Sequence, residues 1–355
     1  MMDETNKILD ILSRNLGTPI SINEITKNID KIHGRAHYAN IHEKIKKLYH
    51  EEIITLTKAG RSSLVSLNFD NYMIIDMLAE MELRRKHDFL KKKQEMQILM
   101  LGIDTNLRNI PLISYILLAC PERNTRLNKA EMLVHLKKSN DRKIIEKTKN
   151  EIQTITEKLQ QMHNIRIDCL VLENKAFLDL IKSNEHNTIR EMLNDKIVIF
   201  HPQDFWLGLK DATNRGIKIS IIKHEMNPLK ISEEDIVFNL LRFGYEEIGS
   251  KARQGRLFCM EYVIVSIMFH DDARRMNAIP IIMAKNPKTS YDLLVFLTCK
   301  YRFGGKILGI LRALRSLKHG MKINEPIRQL EAMKIKEVKA DIKSIKEKLK
   351  LYGAI

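Results

Sequence analysis

Two short runs of alternating apolar and polar residues, "IITLTK" from Ile53 and "SLVSLNF" from Ser63, meet at "AGRS". Alternation of this kind has the two-residue period of a strand, and Gly60 supplies a turn, so the pair reads as a β-hairpin. Three stretches of helical spacing precede it. Residues 4–15 place Ile8, Leu9, Ile11, Leu12 and Leu16 on one side. After the break "GTPIS", Ser21 and Glu24 form a capping box that opens a second helix, about 22–29. A third, about 36–50, aligns Ile41, Ile45 and Leu48. Three helices and a hairpin are thus expected within the first seventy residues.

Residues 71–100 read as helical throughout, with "ELRRKHDFLKKKQE" as a solvated basic face that connects domains. The character then changes. Strand-like apolar runs stand at 112–119, 131–136, 165–172 and 196–200, with a helical stretch at 141–162 between the second and third. This is the pattern of a small mixed sheet covered by helices. From about 220 onward apolar-rich helices dominate, and Ile335, Val338, Ile342, Ile345 and Leu349 repeat at 3–4–3–4 spacing like a helix-packing seam. The expected class is a multidomain α+β protein divided at 1–70, 71–104, 105–215 and 216–355.

Lys and Arg exceed Asp and Glu by 16 charges. That excess favours polyanionic partners, nucleic acid first and acidic membrane surfaces second, although a basic proteome gives the same balance. Cys120, Cys169, Cys259 and Cys299 form no CxxC pair and lie in or beside apolar runs, which speaks against a metal finger or a disulfide framework. The N-terminus "MMDETNKILD" has no signal-peptide pattern, and the apolar runs fall short of the ~20 residues a bilayer span needs. A soluble, cytoplasmic protein without a membrane partner is expected.

The order of the first seventy residues, together with "KAGRSSLVSLNF", resembles the winged helix-turn-helix of archaeal and bacterial regulators. In such a module the third helix lies in the major groove of double-stranded DNA. With Ile41, Ile45 and Leu48 inward, the resemblance implies that Arg35, His37, Tyr38, Asn40, Lys44 and Lys47 face the duplex. Asn40 suits a bidentate contact to adenine and the lysines suit phosphates. Arg61 and Ser62 at the hairpin tip would reach the backbone or minor groove, with Ser63 beside them. The bland alternative is a protein-contact module with these side chains as ordinary surface.

The segment "ILLACPERNTRLNKAEMLVHL", from Ile116 to Leu136, is strand, polar loop and strand. With "IRIDCLVLENKAFLDLI" and "IREMLNDKIVIFHPQDFWLGL" it resembles a nucleotidyltransferase fold over about 110–210. That family needs a Gly-Ser turn for phosphates and an Asp-x-Asp pair plus a later Asp for two metals. Here Ala119-Cys120 stands for Gly-Ser and Lys129-Ala130-Glu131 for Asp-x-Asp, while Asp168 falls at the third carboxylate. A lysine in a metal-binding position turns attraction into repulsion, by several kcal/mol even at an effective dielectric of about 20. The resemblance therefore implies a vestigial site of Cys120, Lys129, Glu131 and Asp168 without a cofactor, in which Glu131 and Asp168 pair with Lys129 and Arg123 or, as the alternative, hold one metal weakly.

Other motifs are thinner. "GSKARQG" at 249–255 lacks its strand context and reads as a loop, and "GGKILG" at 304–309 lacks the strand and GK[ST] ending of a P-loop. His270, Asp271 and Asp272 read as capping or ion-pair partners of Arg274 and Arg275, and His201 and Trp206 as residues that cap and pack a helix. The expected function is DNA-binding transcriptional regulation, with a protein partner or homodimer contact through the C-terminal helices. The alternatives are an active nucleotidyltransferase acting on a protein or RNA acceptor, and a structural or antitoxin-like partner with no DNA role.

Overall fold

The computed structural model of the protein describes residues 3–60, 62–119, 121, 128–220, 227–246, 254–318 and 321–355. The chain is α+β and divides into two compact units, one of Met1–Ile167, Val171–Ser183 and Thr188–Lys223, the other of Asp168–Leu170, Asn184–Asn187 and His224–Ile355. The segments 1–70, 71–104 and 105–215 thus fall largely into a single unit. Among the described residues no helix is long and apolar enough to cross a membrane.

The first unit opens with helix α1 (Glu4–Ser13), capped by the Asp3 carboxylate on the Asn6 amide. It stops short of the expected 15 because Asn15–Leu16 is strand β1. Strand β2 (Ile20–Ser21) leads into α2 (Ile22–His33), where Ser21 Oγ accepts from the Glu24 amide at 3.2 Å, as the capping box requires. Helix α3 (Tyr38–His50) and the hairpin of β3 (Ile54–Ala59) and β4 (Ser62–Leu67) follow. The hairpin joins β2 in an antiparallel sheet of order β2–β4–β3, closed against the apolar faces of the three helices.

The stretch expected to be one solvated connector is two helices, α4 (Met73–Lys92) and α5 (Glu95–Leu107). Only part of α4 faces water. Ile74, Ile75, Leu78, Met81, Glu82 and Phe89 are buried, and α4 packs on the later helix Pro202–Asn214. A basic run therefore marks one face of a packed helix, because its apolar residues keep the 3–4 spacing beneath the charges.

Strands β5 (Ile113–Ala119) and β6 (Lys129–Leu136) pair antiparallel, helix α6 (Arg142–His163) crosses over, and β7 (Arg166–Glu173) returns. Asp141 caps α6 and Asn164 ends it in left-handed backbone, a conformation Asn tolerates well. Helices α7 (Asn174–Lys182) and α8 (Thr188–Asn194), strand β8 (Lys196–Phe200) and helix α9 (Pro202–Asn214) complete a sheet of order β7–β6–β5–β8. The inner strand β5 is buried from Tyr115 to Ala119, as its apolar run implies. Trp206 packs in this core, 1% exposed. His201 holds the N-cap position of α9 at φ 55 but makes no side-chain cap bond, which differs from the capping role expected of it. Strand β9 (Ile219–Ser220) pairs with β1, Asn15 opposite Ser220.

The second unit is helical: α10 (Glu233–Arg242), α11 (Met260–His270), α12 (Ala273–Met276), α13 (Ala278–Lys285), α14 (Tyr291–Lys300), α15 (Gly304–Leu317), α16 (Asn324–Ala332) and α17 (Ile342–Leu351). Helix α11 is buried from Met260 to Met268, as a helix apolar on nearly every face must be, with Glu261 and Ser266 buried among its apolar residues. Asp272 caps α12 on the Arg274 amide at 2.9 Å and lies 3.8 Å from Arg275, the capping and pairing role expected. The seam expected over 335–349 is helical only from Ile342; Ile335 and Val338 lie on irregular chain that follows left-handed Lys334 (φ 54).

Candidate nucleic-acid interface

Helix α3 is two-sided. Ile41, Ile45 and Leu48 are each 1% exposed or less, and burial of such side chains stabilises by about 1.5–3 kcal/mol apiece. Gly34, at φ 78, makes the turn from α2 that a Cβ would strain. With the apolar stripe fixed inward, Arg35, His37, Tyr38, Asn40 and Lys47 are exposed and Lys44 is half-buried. Arg35 and His37 precede the helix, whose first residue is Tyr38. The Tyr38 and His42 rings stack at 5.7 Å, which holds the phenol along the first turn. Lys47 has only a loose 3.8 Å pairing with Glu51, both exposed, so its ammonium is open to another anion. The hairpin ends at the pair Ala59–Ser62, with Ser62 exposed and Ser63 half-buried; Arg61 lies outside the described residues.

Beneath this surface is an ionic cluster that sequence reasoning missed. Asp10 on α1 is 1% exposed and accepts from His33 Nε2 at 2.8 Å, from Arg14 at 3.2 Å and from Arg85 on α4. Burial alone would raise its carboxyl, but the His33 bond and the Arg85 and Arg14 guanidiniums win and hold it well below the usual carboxylate range. Arg85 also donates to fully buried Glu82 at 2.9 Å, and Lys196 on β8 stands 3.6 Å from the same carboxylate. Burial pushes the Lys196 ammonium down from its ordinary value. The cluster ties α1 and α2 to α4 and β8. Its one sequence signal is an acid at position 10 inside an apolar stripe.

The strand–loop–strand segment places Ala119 opposite Glu131. Lys129 Nζ lies 2.7 Å from Glu131 Oε1, and both side chains are largely buried, at 15% and 3% exposure. The lysine thus neutralises this buried carboxylate. Asp168, on β7, is buried and is grouped with the second unit. Cys120 and the loop residues Arg123 and Arg126 lie outside the described residues, as does the "GSKAR" part of the other basic loop. Past that loop, Arg256 grips Asp235 through two guanidinium bonds of 2.9 and 2.7 Å, which anchors the chain to α10. Among the described residues no group of three or more His, Cys, Asp or Glu side chains is placed to hold a metal ion. Compared with protein-family models, curated proteins and solved structures, the chain matches none.

Proposed function

We propose that residues 1–70 are a winged helix-turn-helix that binds double-stranded DNA, and that the protein is a cytoplasmic transcriptional regulator. The observation that carries this reading is the division of α3, with Ile41, Ile45 and Leu48 buried and Tyr38, Asn40 and Lys47 exposed, while Arg35 and His37 are exposed just before it. A helix of this kind, with a hairpin at its flank, suits the major groove, Asn40 to an adenine edge and Lys44 and Lys47 to phosphates. The excess of 16 positive charges supports the same partner.

In this proposal the central sheet is a nucleotidyltransferase-like domain that has lost catalysis and serves as scaffold or sensor. The Lys129–Glu131 ion pair supports that part, since it opposes metal binding at the position where the reaction needs it. The C-terminal helices would serve a protein partner or a second copy. The test is selection of bound sequences from a random duplex pool with the full chain, followed by titration at several salt concentrations. A reproducible motif and a steep salt dependence are expected. Absence of duplex binding at low salt overturns the reading and leaves a protein-contact module.

A further inference from the structure

Helix α15 opens on "GGK", and the irregular chain after Lys334 runs against its first turns. The Val338 amide donates to the Gly305 carbonyl at 3.0 Å. Glycine is required where the two backbones meet. A Cβ at Gly309 would stand 2.0 Å from the Val338 carbonyl oxygen, and one at Gly305 would stand 2.4 Å from that of Lys336. Beside this contact lies a groove of about 490 Å³, lined by Cys299, Arg302, Phe303, Lys306, Ile335 and Lys336 among others. That size suits a small organic molecule.

The lining is chemically one-sided. Arg302, Lys306 and Lys336 bring three cations, and no Asp or Glu lines the groove. Lys306 shares its charge with Asp271 at 2.6 Å, while Arg302 and Lys336 have no ion-pair partner among the described residues. Arg302 is held at φ 65, two residues before the helix. Phe303, braced edge-on by Phe269 at 5.0 Å, and Ile335 supply an apolar wall. The segment before "GGK" is helix α14, so this is no P-loop; the third cation comes from the strap that crosses α15.

We propose that this groove binds a phosphorylated small molecule of mononucleotide size, its phosphate held by Arg302, Lys306 and Lys336 and its organic part lying against Phe303 and Ile335. Guanidinium and ammonium donors lining one groove favour a phosphate over a neutral ligand, because each charge-assisted bond is about twice as strong as a neutral one. The inference stands apart from the DNA reading, since every lining residue belongs to the second unit.

The test titrates the full chain with AMP and with inorganic phosphate, each against potassium chloride of equal ionic strength. Calorimetry gives affinity, and mass spectrometry gives the alkylation rate of Cys299, a half-buried thiol in the lining. Saturable AMP binding, competition by phosphate and slowed alkylation at Cys299 are expected. The double variant R302Q/K336Q should weaken AMP by about tenfold or more at unchanged melting temperature. Binding of AMP that persists in the double variant reflects the general basicity of the chain and overturns the proposal. So does alkylation of Cys299 that neither AMP nor phosphate slows.

Discussion

Asp10 and Arg85, 75 positions apart in the chain, are joined by an ion pair that buries the carboxylate almost completely. Two guanidiniums and an imidazole meet one acid there, and the Arg85 guanidinium also serves Glu82. Helix α2, which precedes the candidate recognition helix, is held by the same acid, since His33 at its end is bonded to Asp10 as well.

Asp10→Asn should cost about 3 kcal/mol, because removal of one partner of a buried pair leaves the other without compensation. The double variant D10N/R85M should recover part of that loss, which a double-mutant cycle in urea measures. The pH sense follows from the depressed carboxyl. Its contribution is complete above the ordinary value of 3.8 and is lost as pH falls toward the lower folded value. Acid unfolding of the wild type should therefore be steeper below that point than in D10N.

His135 on β6 lies flat against Tyr115, ring centres 4.5 Å apart, with Phe177 edge-on. Burial pushes the imidazole down from 6.5 to about 4, against a smaller raising effect of Asn174. The unfolded chain takes up this proton first, so stability is complete above the ordinary value and falls between pH 6.5 and 4. The loss should approach roughly 3 kcal/mol. Ring-proton NMR should show His135 neutral at pH 5, and His135→Gln should remove this part of the pH dependence.

Gly309→Ala separates propensity from packing. On an open helix surface the change stabilises by about 1 kcal/mol. Here the new methyl would meet the Val338 carbonyl, so the sign should reverse, with a loss of about 1–3 kcal/mol and faster amide exchange at Val338. Unfolding and hydrogen-exchange measurements check both.

If α3 lies in a major groove, Lys44 and Lys47 to alanine together should flatten the plot of log affinity against log salt by nearly two units of about 0.9 each. Asn40→Ala should instead relax preference at one base pair, by about 1–3 kcal/mol. Equal losses on specific and random duplexes for Asn40→Ala would remove it from the reading positions.

Incubation of the full chain with labelled nucleoside triphosphates, protein and RNA acceptors, and Mg²⁺ or Mn²⁺ should give no labelling that depends on Asp168. The Lys129–Glu131 pair is the reason. Lys129→Asp alone should not restore turnover, because metal alignment and the phosphate cradle act together. Labelling abolished by Asp168→Ala would establish the enzyme and retire the vestigial-site reading.

The periodicities in the chain determined its elements. Apolar runs placed β5, β6, β7 and β8 within a few residues, and the stripe Ile41, Ile45 and Leu48 determined which face of α3 is outward, since burial follows directly from spacing. The charges of Lys129 and Glu131, two residues apart and so on one face of a strand, were equally legible. The tertiary structure alone decided the long-range pairings: Asp10 with Arg85, Lys196 with Glu82, β1 with β9, and the strap over Gly305 and Gly309. Such contacts leave no period in the sequence, since each joins residues whose separation the chain path sets. Ile335 and Val338 show the limit: their spacing reads as helix, yet they lie outside the helices, where the Val338 amide bonds the Gly305 carbonyl of another segment.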